Sequence, residues 1–252
     1  MPTKLVAFDL DDTLAPSKSA LLPENVRALA KLLGVCEVAV ISGGDLPQFE
    51  AQLLAHLPVP PQKLGRLHIL PTCGTKYLRY EDDGWHLLYA QELPADLAQR
   101  ARYVLEKCAR KLSLWEERTW GPRIENRGTQ ITFSALGQNA PGAEKLKWDP
   151  TGEKKNRLRE LVQEQLPTLE VRSGGSTSVD ITRRGIDKAY GMRKLMEATG
   201  MGPEEIIFVG DRLDPAGNDY PVIATGVKCI AVAAPSETPA VIRQIIAEIV
   251  GV

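Results

Sequence analysis

The segment Lys4-Leu5-Val6-Ala7-Phe8-Asp9-Leu10-Asp11-Asp12-Thr13 carries more information than any other in the chain. Its first half is a continuous apolar run, the pattern of a strand covered by helices on both faces. Its second half is acidic. In open α/β sheets ligands bind beyond the C-terminal ends of the strands, so these acids fall at the edge where chemistry is expected. Asp9 and Asp11, two residues apart in an extended turn, point the same way. Their charges repel unless a cation lies between them or a proton is shared. A hard divalent ion such as Mg²⁺ takes oxygen ligands and suits such a pair. Taken singly, an Asp-x-Asp loop is more often a helix cap than a metal site.

Reading outward, a helix is expected over 23–33, stopped by Gly34, then a strand over 37–41 that ends in Ser42-Gly43-Gly44, then a helix over 46–55. Strand, helix, strand, helix is the order of a parallel sheet with right-handed crossovers. Two more strands are expected over 67–70 and 76–80, with Glu81-Asp82-Asp83-Gly84 as a hairpin turn into 85–89. The pattern then changes. A long helix over 93–112, strands near 123–125 and 130–134, a helix over 151–165 and strands near 169–172 and 178–182 read as an α+β insert. The crossover pattern resumes with a helix over 187–198, a strand over 206–209 running into Gly210-Asp211, a strand over 227–233 and a helix over 238–249. The expected organisation is a Rossmann-like, doubly wound parallel-sheet α/β core (1–87 and 186–252) interrupted by an α+β cap domain (88–185).

Three further polar features follow core strands. Ser42-Gly43-Gly44 offers a hydroxyl and bare amides at a helix N-terminus, an anion site in form. Lys188 stands in the first turn of a helix, where a cation opposes the helix dipole unless an anion is near. Asp211 lies just past its strand, with Asp214, Asn218 and Asp219 behind it. Each alone also reads as an ordinary turn or a solvated side chain.

Acid pair, serine turn, lysine and acid cluster, each after its own strand, stand in the four-motif order of the haloacid dehalogenase superfamily, which this chain strongly resembles. The resemblance implies that Asp9 is a nucleophile passing through an aspartyl-phosphate and that Asp11 is the general acid and base. It implies Mg²⁺ held by the Asp9 carboxylate, the Asp11 backbone carbonyl and Asp211, with Asp219 acting directly or through a neighbour. Ser42, Gly43 and Lys188 would hold the phosphoryl oxygens. The physics is consistent: one carboxylate must be ionised to attack while its neighbour carries a proton.

The insert resembles the second variety of type-two cap found in sugar-phosphate phosphatases and phosphomannomutases. Ile124-Glu125-Asn126-Arg127, Ser134-Ala135-Leu136-Gly137 and Gly174-Gly175-Ser176-Thr177-Ser178-Val179-Asp180 carry that likeness. By position, Arg127, Ser178 and Asp180 would face the sugar phosphate. Arginine suits phosphate because its planar fork donates two parallel hydrogen bonds. In the mutases the glycine matching Gly137 is followed by an arginine that grips the distal phosphate; here Gln138 stands there. That favours a phosphatase acting on hexose phosphates over a mutase interconverting mannose 1-phosphate and mannose 6-phosphate, although Arg123, Lys145 or Lys147 could supply the charge. By resemblance a homodimer through the cap is an expectation too.

The bulk properties agree. The 252 residues are 43% hydrophobic and 25% charged, with a formal net charge of -1, which offers no basic footprint for nucleic acid. No stretch reaches the ~20 apolar residues of a membrane span, and the short apolar run after Lys4 is no signal peptide. Cys36, Cys73, Cys108 and Cys229 are too scattered for zinc or a disulfide framework, so a cytoplasmic protein is expected. A different class of reading is a non-catalytic phospho-acceptor or binding module of the receiver type, which also uses an acidic pocket and a lysine. Asp11 two residues after Asp9, and the long insert, argue against it.

Overall fold

The computed structural model describes residues 3–82, 84–175 and 177–251, so Asp83 of the expected hairpin turn and Ser176 of the cap loop lie outside the described residues. In chain order the elements are β1 (Leu5–Asp9), α1 (Pro23–Leu32), β2 (Glu37–Ile41), α2 (Leu46–Gln52), the one-turn α3 (Pro61–Leu64), β3 (Leu67–Leu70), β4 (Lys76–Glu81) and β5 (Gly84–Ala90). They continue with α4 (Ala95–Lys111), β6 (Ile124–Asn126), β7 (Ile131–Ser134), α5 (Gly142–Trp148), α6 (Glu153–Gln165), β8 (Leu169–Ser173) and β9 (Ser178–Arg183). The chain closes with α7 (Lys188–Thr199), β10 (Ile206–Gly210), β11 (Lys228–Ala231) and α8 (Thr238–Val250). It forms two compact units, one of Met1–Ala90 with Asp187–Val252 and one of Gln91–Ile186.

The first unit is built on a seven-stranded sheet in the order β11-β10-β1-β2-β3-β4-β5. β1 is central and pairs in parallel with β2 and β10, while β3–β4 and β4–β5 are antiparallel. The all-apolar strand β1 is explained by its surroundings. Val6 and Phe8 pack into one core with Leu29, Leu32, Phe49, Ile242 and Ile245. Leu5 and Ala7 pack on the other face with Met192 and Leu195 of α7. Each buried Val, Leu, Ile, Phe or Met side chain among these contributes about 1.5–3 kcal/mol.

Two local details depart from expectation. The sequence sets Leu22, Val26, Leu29, Leu32 and Leu33 near one face of α1, whereas its buried stripe is Asn25, Ala28, Leu29 and Leu32, with Leu22 left at the cap. Asn25 is tolerated inside because its amide donates to the carbonyls of Leu14 and Pro235, each at 2.8 Å. The helix α5 has no counterpart in the sequence reading. It is seven residues long and buries only Lys145, so it carries no apolar period to detect.

A buried polar cluster lies at the start of β3. His68 Nε2 sits 2.5 Å from the Glu37 carboxylate and Nδ1 2.5 Å from the Tyr77 hydroxyl, with Arg79 alongside at 3.5 Å. Burial holds the imidazole below its usual 6.5, overcoming the upward pull of Glu37. The hydrogen bond to His68 in turn holds the Glu37 carboxyl below its ordinary value. A histidine depressed in the folded state leaves the unfolded chain with the greater proton uptake, so stability falls as pH drops below 6.5. The variant His68→Gln is expected to flatten the pH dependence of the urea midpoint between about pH 7 and about pH 5. An unchanged slope would remove His68 from that role.

The second unit is a four-stranded antiparallel sheet, β6-β7-β9-β8. Ile131, Phe133, Val171, Val179 and Ile181 join one core with Ala101, Leu105, Leu158 and Val162 of α4 and α6. Because side chains alternate along a strand, Thr132, Ser134, Ser178 and Asp180 belong to the opposite, polar face. Among the described residues, no helix is long and apolar enough to cross a membrane.

Candidate active site

β1 delivers Asp9 as its last residue, paired with Ile41 of β2, so Ser42 follows directly beside it. β10 runs parallel to β1 on the other side and ends at Gly210, which places Asp211 just beyond the same edge. Lys188 opens α7, where Asp187 caps the helix by accepting from the Tyr190 amide at 2.8 Å. These are local consequences of strand pairing and capping, and they bring together groups far apart in sequence.

Lys188 is fully buried, and its Nζ donates to Asp9 Oδ1 and to Asp219 Oδ1, each at 2.5 Å. The second Asp219 oxygen accepts from the Arg212 amide at 3.0 Å. Asp9, Asp211 and Asp219 each offer a carboxylate oxygen, all within 4.8 Å of one another. Thr13, wholly buried, donates to Asp211 Oδ1 at 3.2 Å. Burial pushes the Asp9 carboxyl well above its usual range, with Asp219 and Asp211 pushing the same way and Lys188 opposing. Burial and Asp219 also raise Asp211. Burial alone would lower Lys188, but Asp9 and Asp219 outweigh it and hold the ammonium protonated.

Three carboxylates around one ammonium leave an excess negative charge in a poorly solvated site. A hard divalent cation would neutralise it, and an all-oxygen donor set with a fully buried member fits such an ion.

The Asp11 side chain turns elsewhere. Its carboxylate accepts from the Lys18 amide at 2.8 Å, Gln48 Nε2 at 2.7 Å and Gln52 Nε2 at 3.3 Å. Gln48, Gln52 and Thr13 escaped the sequence reading. The readable signal was the i, i+4 spacing of the two glutamines on the helix after the serine turn. Ser42 is buried, and its Oγ accepts from the Gly44 amide at 3.1 Å, with Gly43 half-buried between them. Asp214 points to solvent and pairs with Arg212 at 2.9 Å, away from the carboxylate cluster.

In the second unit, Arg127 Nε pairs with Glu125 at 2.7 Å. Asp180 faces Thr132 across the β7–β9 ladder and accepts from its hydroxyl at 2.7 Å. Ser178 pairs with Ser134 two residues along the same ladder. The Gln138 carbonyl accepts from the buried Lys145 Nζ at 3.3 Å. Arg123 lies over the Trp115 ring at 4.7 Å, and Lys147 pairs with Glu144 at 2.9 Å on the surface. Of the three replacement cations considered, Lys145 is the one the fold sets beside Gln138.

A parallel-centred α/β sheet with an aspartate after its central strand, a serine turn, a buried lysine and a carboxylate loop at one edge defines a phosphoryl-transfer enzyme of the haloacid dehalogenase fold. The solved structures agree on the fold. The chain is similar to a haloacid dehalogenase-like hydrolase from Bacteroides thetaiotaomicron, with TM-score 0.65 and 19% identity, covering 96% of this chain and 99% of that one. It is also similar to IMP-bound, N-terminally truncated Plasmodium falciparum IMP-nucleotidase, with TM-score 0.72 and 16% identity, covering 97% and 68%. In sequence it is similar to the phosphomannomutase of Saccharomyces cerevisiae, 27% identical over 238 residues, covering 88% of this chain and 85% of that protein. The model of the eukaryotic phosphomannomutase family matches residues 71–248, well over half of the chain, and the chain belongs to that family.

Proposed function

We propose that this protein catalyses Mg²⁺-dependent phosphoryl transfer on hexose phosphates through an aspartyl-phosphate at Asp9, with water as the principal acceptor. The observation that carries the reading is the convergence of Asp9, Asp211 and Asp219 with the buried Lys188. Asp9 attacks phosphorus and the ester oxygen leaves with a proton from Asp11; Asp11 then takes a proton from the incoming water as it cleaves the acyl phosphate. Gln48 and Gln52 hold the Asp11 carboxylate away from the Asp9 cluster in this structure, so it has to leave them to do this work. Lys188, aimed by Asp219, and the Ser42–Gly43 turn stabilise charge on the transferring oxygens. Asp9, Asp211 and the Asp11 carbonyl would hold the magnesium ion, which supplies charge neutralisation for the phosphoryl oxygens. Arg127, Gln138, Ser178 and Asp180, all in the inserted unit, are proposed to select the sugar.

The choice of water over a second sugar rests on Gln138 standing where the resembling mutases carry arginine. One observation favours the mutase alternative: Lys145 places an ammonium 3.3 Å from the Gln138 carbonyl. Incubation with mannose 1-phosphate and a trace of hexose 1,6-bisphosphate separates the two. Release of free phosphate is the expected result. Mannose 6-phosphate formation without phosphate release would overturn the hydrolytic reading and make Lys145 the distal phosphate's partner. None of the four cysteines is in a disulfide, which is in keeping with a reducing compartment such as the cytoplasm.

A further inference from the structure

The loop after β3 holds three consecutive residues in the left-handed region: Thr72, Cys73 and Gly74, at φ 49, 55 and 80. Only the last is a glycine. A β-branched threonine there is an outlier, and such strain persists only where the surroundings over-determine it. The surroundings do so. Thr72 and Thr75 hydroxyls lie 2.5 Å apart, Thr75 Oγ1 donates to the Thr72 carbonyl at 2.9 Å, and the Tyr89 hydroxyl donates to the Gly74 carbonyl at 2.7 Å.

The consequence is felt at the serine turn. The Cys73 amide donates to the Ser42 carbonyl and the Thr72 amide to the Gly44 carbonyl, each at 2.8 Å. Among the described residues no cis peptide bond is present, and in a trans peptide the carbonyl and the following N–H point in opposite directions. Holding those two carbonyls against the loop therefore turns the N–H groups of Gly43 and Asp45 away from it. The loop also rests on the helix that carries Lys188. A Cβ on Gly74 would fall 2.4 Å from Gly191 Cα, and one on Gly191 would fall 2.7 Å from the Cys73 carbonyl oxygen. Gly191 lies one turn after Lys188, so the loop touches the serine turn and the helix that carries Lys188.

We propose that Thr72-Cys73-Gly74 is a positioning bracket, whose left-handed backbone aims the Gly43 and Asp45 amides and spaces them from Lys188, and so sets affinity for the phosphoryl group. The inference rests on the phosphoryl-transfer reading and adds Thr72, Cys73 and Tyr89 as residues that act through the serine turn.

The test uses two changes at one position. Cys73→Val resists the left-handed backbone, whereas Cys73→Asn tolerates it. Inorganic phosphate, measured as an inhibitor in the presence of magnesium, should bind roughly tenfold or more weakly to the valine variant. The asparagine variant should keep wild-type affinity, and KM should follow the same split. Equal losses in both variants would mean that the thiol, not the backbone, matters, and would overturn the proposal. So would a folded Cys73→Val protein with unchanged phosphate affinity. Should the valine variant not fold, Tyr89→Phe replaces it, expected to weaken phosphate binding and overturning the bracket if it does not. If the wild-type protein itself neither turns over phosphate esters nor binds phosphate, the function reading falls. Amide hydrogen exchange at residues 43–45, faster in Cys73→Val than in Cys73→Asn, then judges the bracket alone, and equal exchange overturns it.

Discussion

Asp9→Asn is expected to lower turnover by at least roughly 10⁴-fold, the order seen when a covalent nucleophile is removed, while raising the melting temperature of the metal-free protein. The two effects have one cause. Asp9 is 3% exposed and shares its surroundings with Asp219 and Asp211, so burial and like charge push its carboxyl well up. An acid raised in the folded state costs stability above its unfolded value of 3.8, and that cost is present at neutral pH. Asparagine has the same shape and no charge, and Lys188 keeps Asp219 as its partner. Calorimetry without metal and a phosphate-release assay with magnesium check the pair. A variant that retains a hundredth or more of wild-type turnover, roughly two decades above expectation, would remove Asp9 as nucleophile. Unchanged stability would show that the carboxylate is better solvated than its burial implies.

Lys188→Met should have the largest effect on folding. The ammonium is the buried counter-charge to Asp9 and Asp219, and methionine fills much of its volume without replacing it. Breaking a buried ion pair from one side costs about 3–5 kcal/mol, because the orphaned charges stay buried. In a chain of this size that lowers the melting temperature by roughly 10 °C. Saturating magnesium should restore part of the loss by binding the folded state alone. The double variant Asp9→Asn, Lys188→Met should exceed Lys188→Met in stability by more than Asp9→Asn exceeds the wild type, since the two charges touch and their effects do not add. Additive effects in that cycle would show that Lys188 and Asp9 do not share charge.

Much of the core was legible because its signals are local. The apolar run of β1 marks a strand covered on both faces, and its end marks where Asp9 must emerge. Ser42 and Asp211 were readable as polar residues following an apolar strand, and Lys188 as a cation in the first turn of a helix. The short strands of the inserted unit were readable as pairs between helices, though not their antiparallel order. What escaped had at most a weak local signature. Thr13 looks like any loop threonine until Asp211, 198 residues away, accepts its hydroxyl. Gln48 and Gln52 look like a solvated helix face until the Asp11 carboxylate is found against them. The left-handed run at 72–74 is hidden because two of its three residues are not glycine. Arg127 and Arg123 read equally well as phosphate ligands or as ion-pair and stacking partners, and only their neighbours distinguish the two.

The amino-acid order by itself determined most of the strand and helix succession (α3 and α5 apart), the place of the insert and the four motifs with their order, because hydrophobic period, caps and turns act over a few residues. Only the tertiary structure decided that Asp219, and not Asp214, shares Lys188 with Asp9, and that the Asp11 carboxylate leans on two glutamines. Those outcomes depend on which distant backbones pair in register, and on which charges burial forces to find a partner.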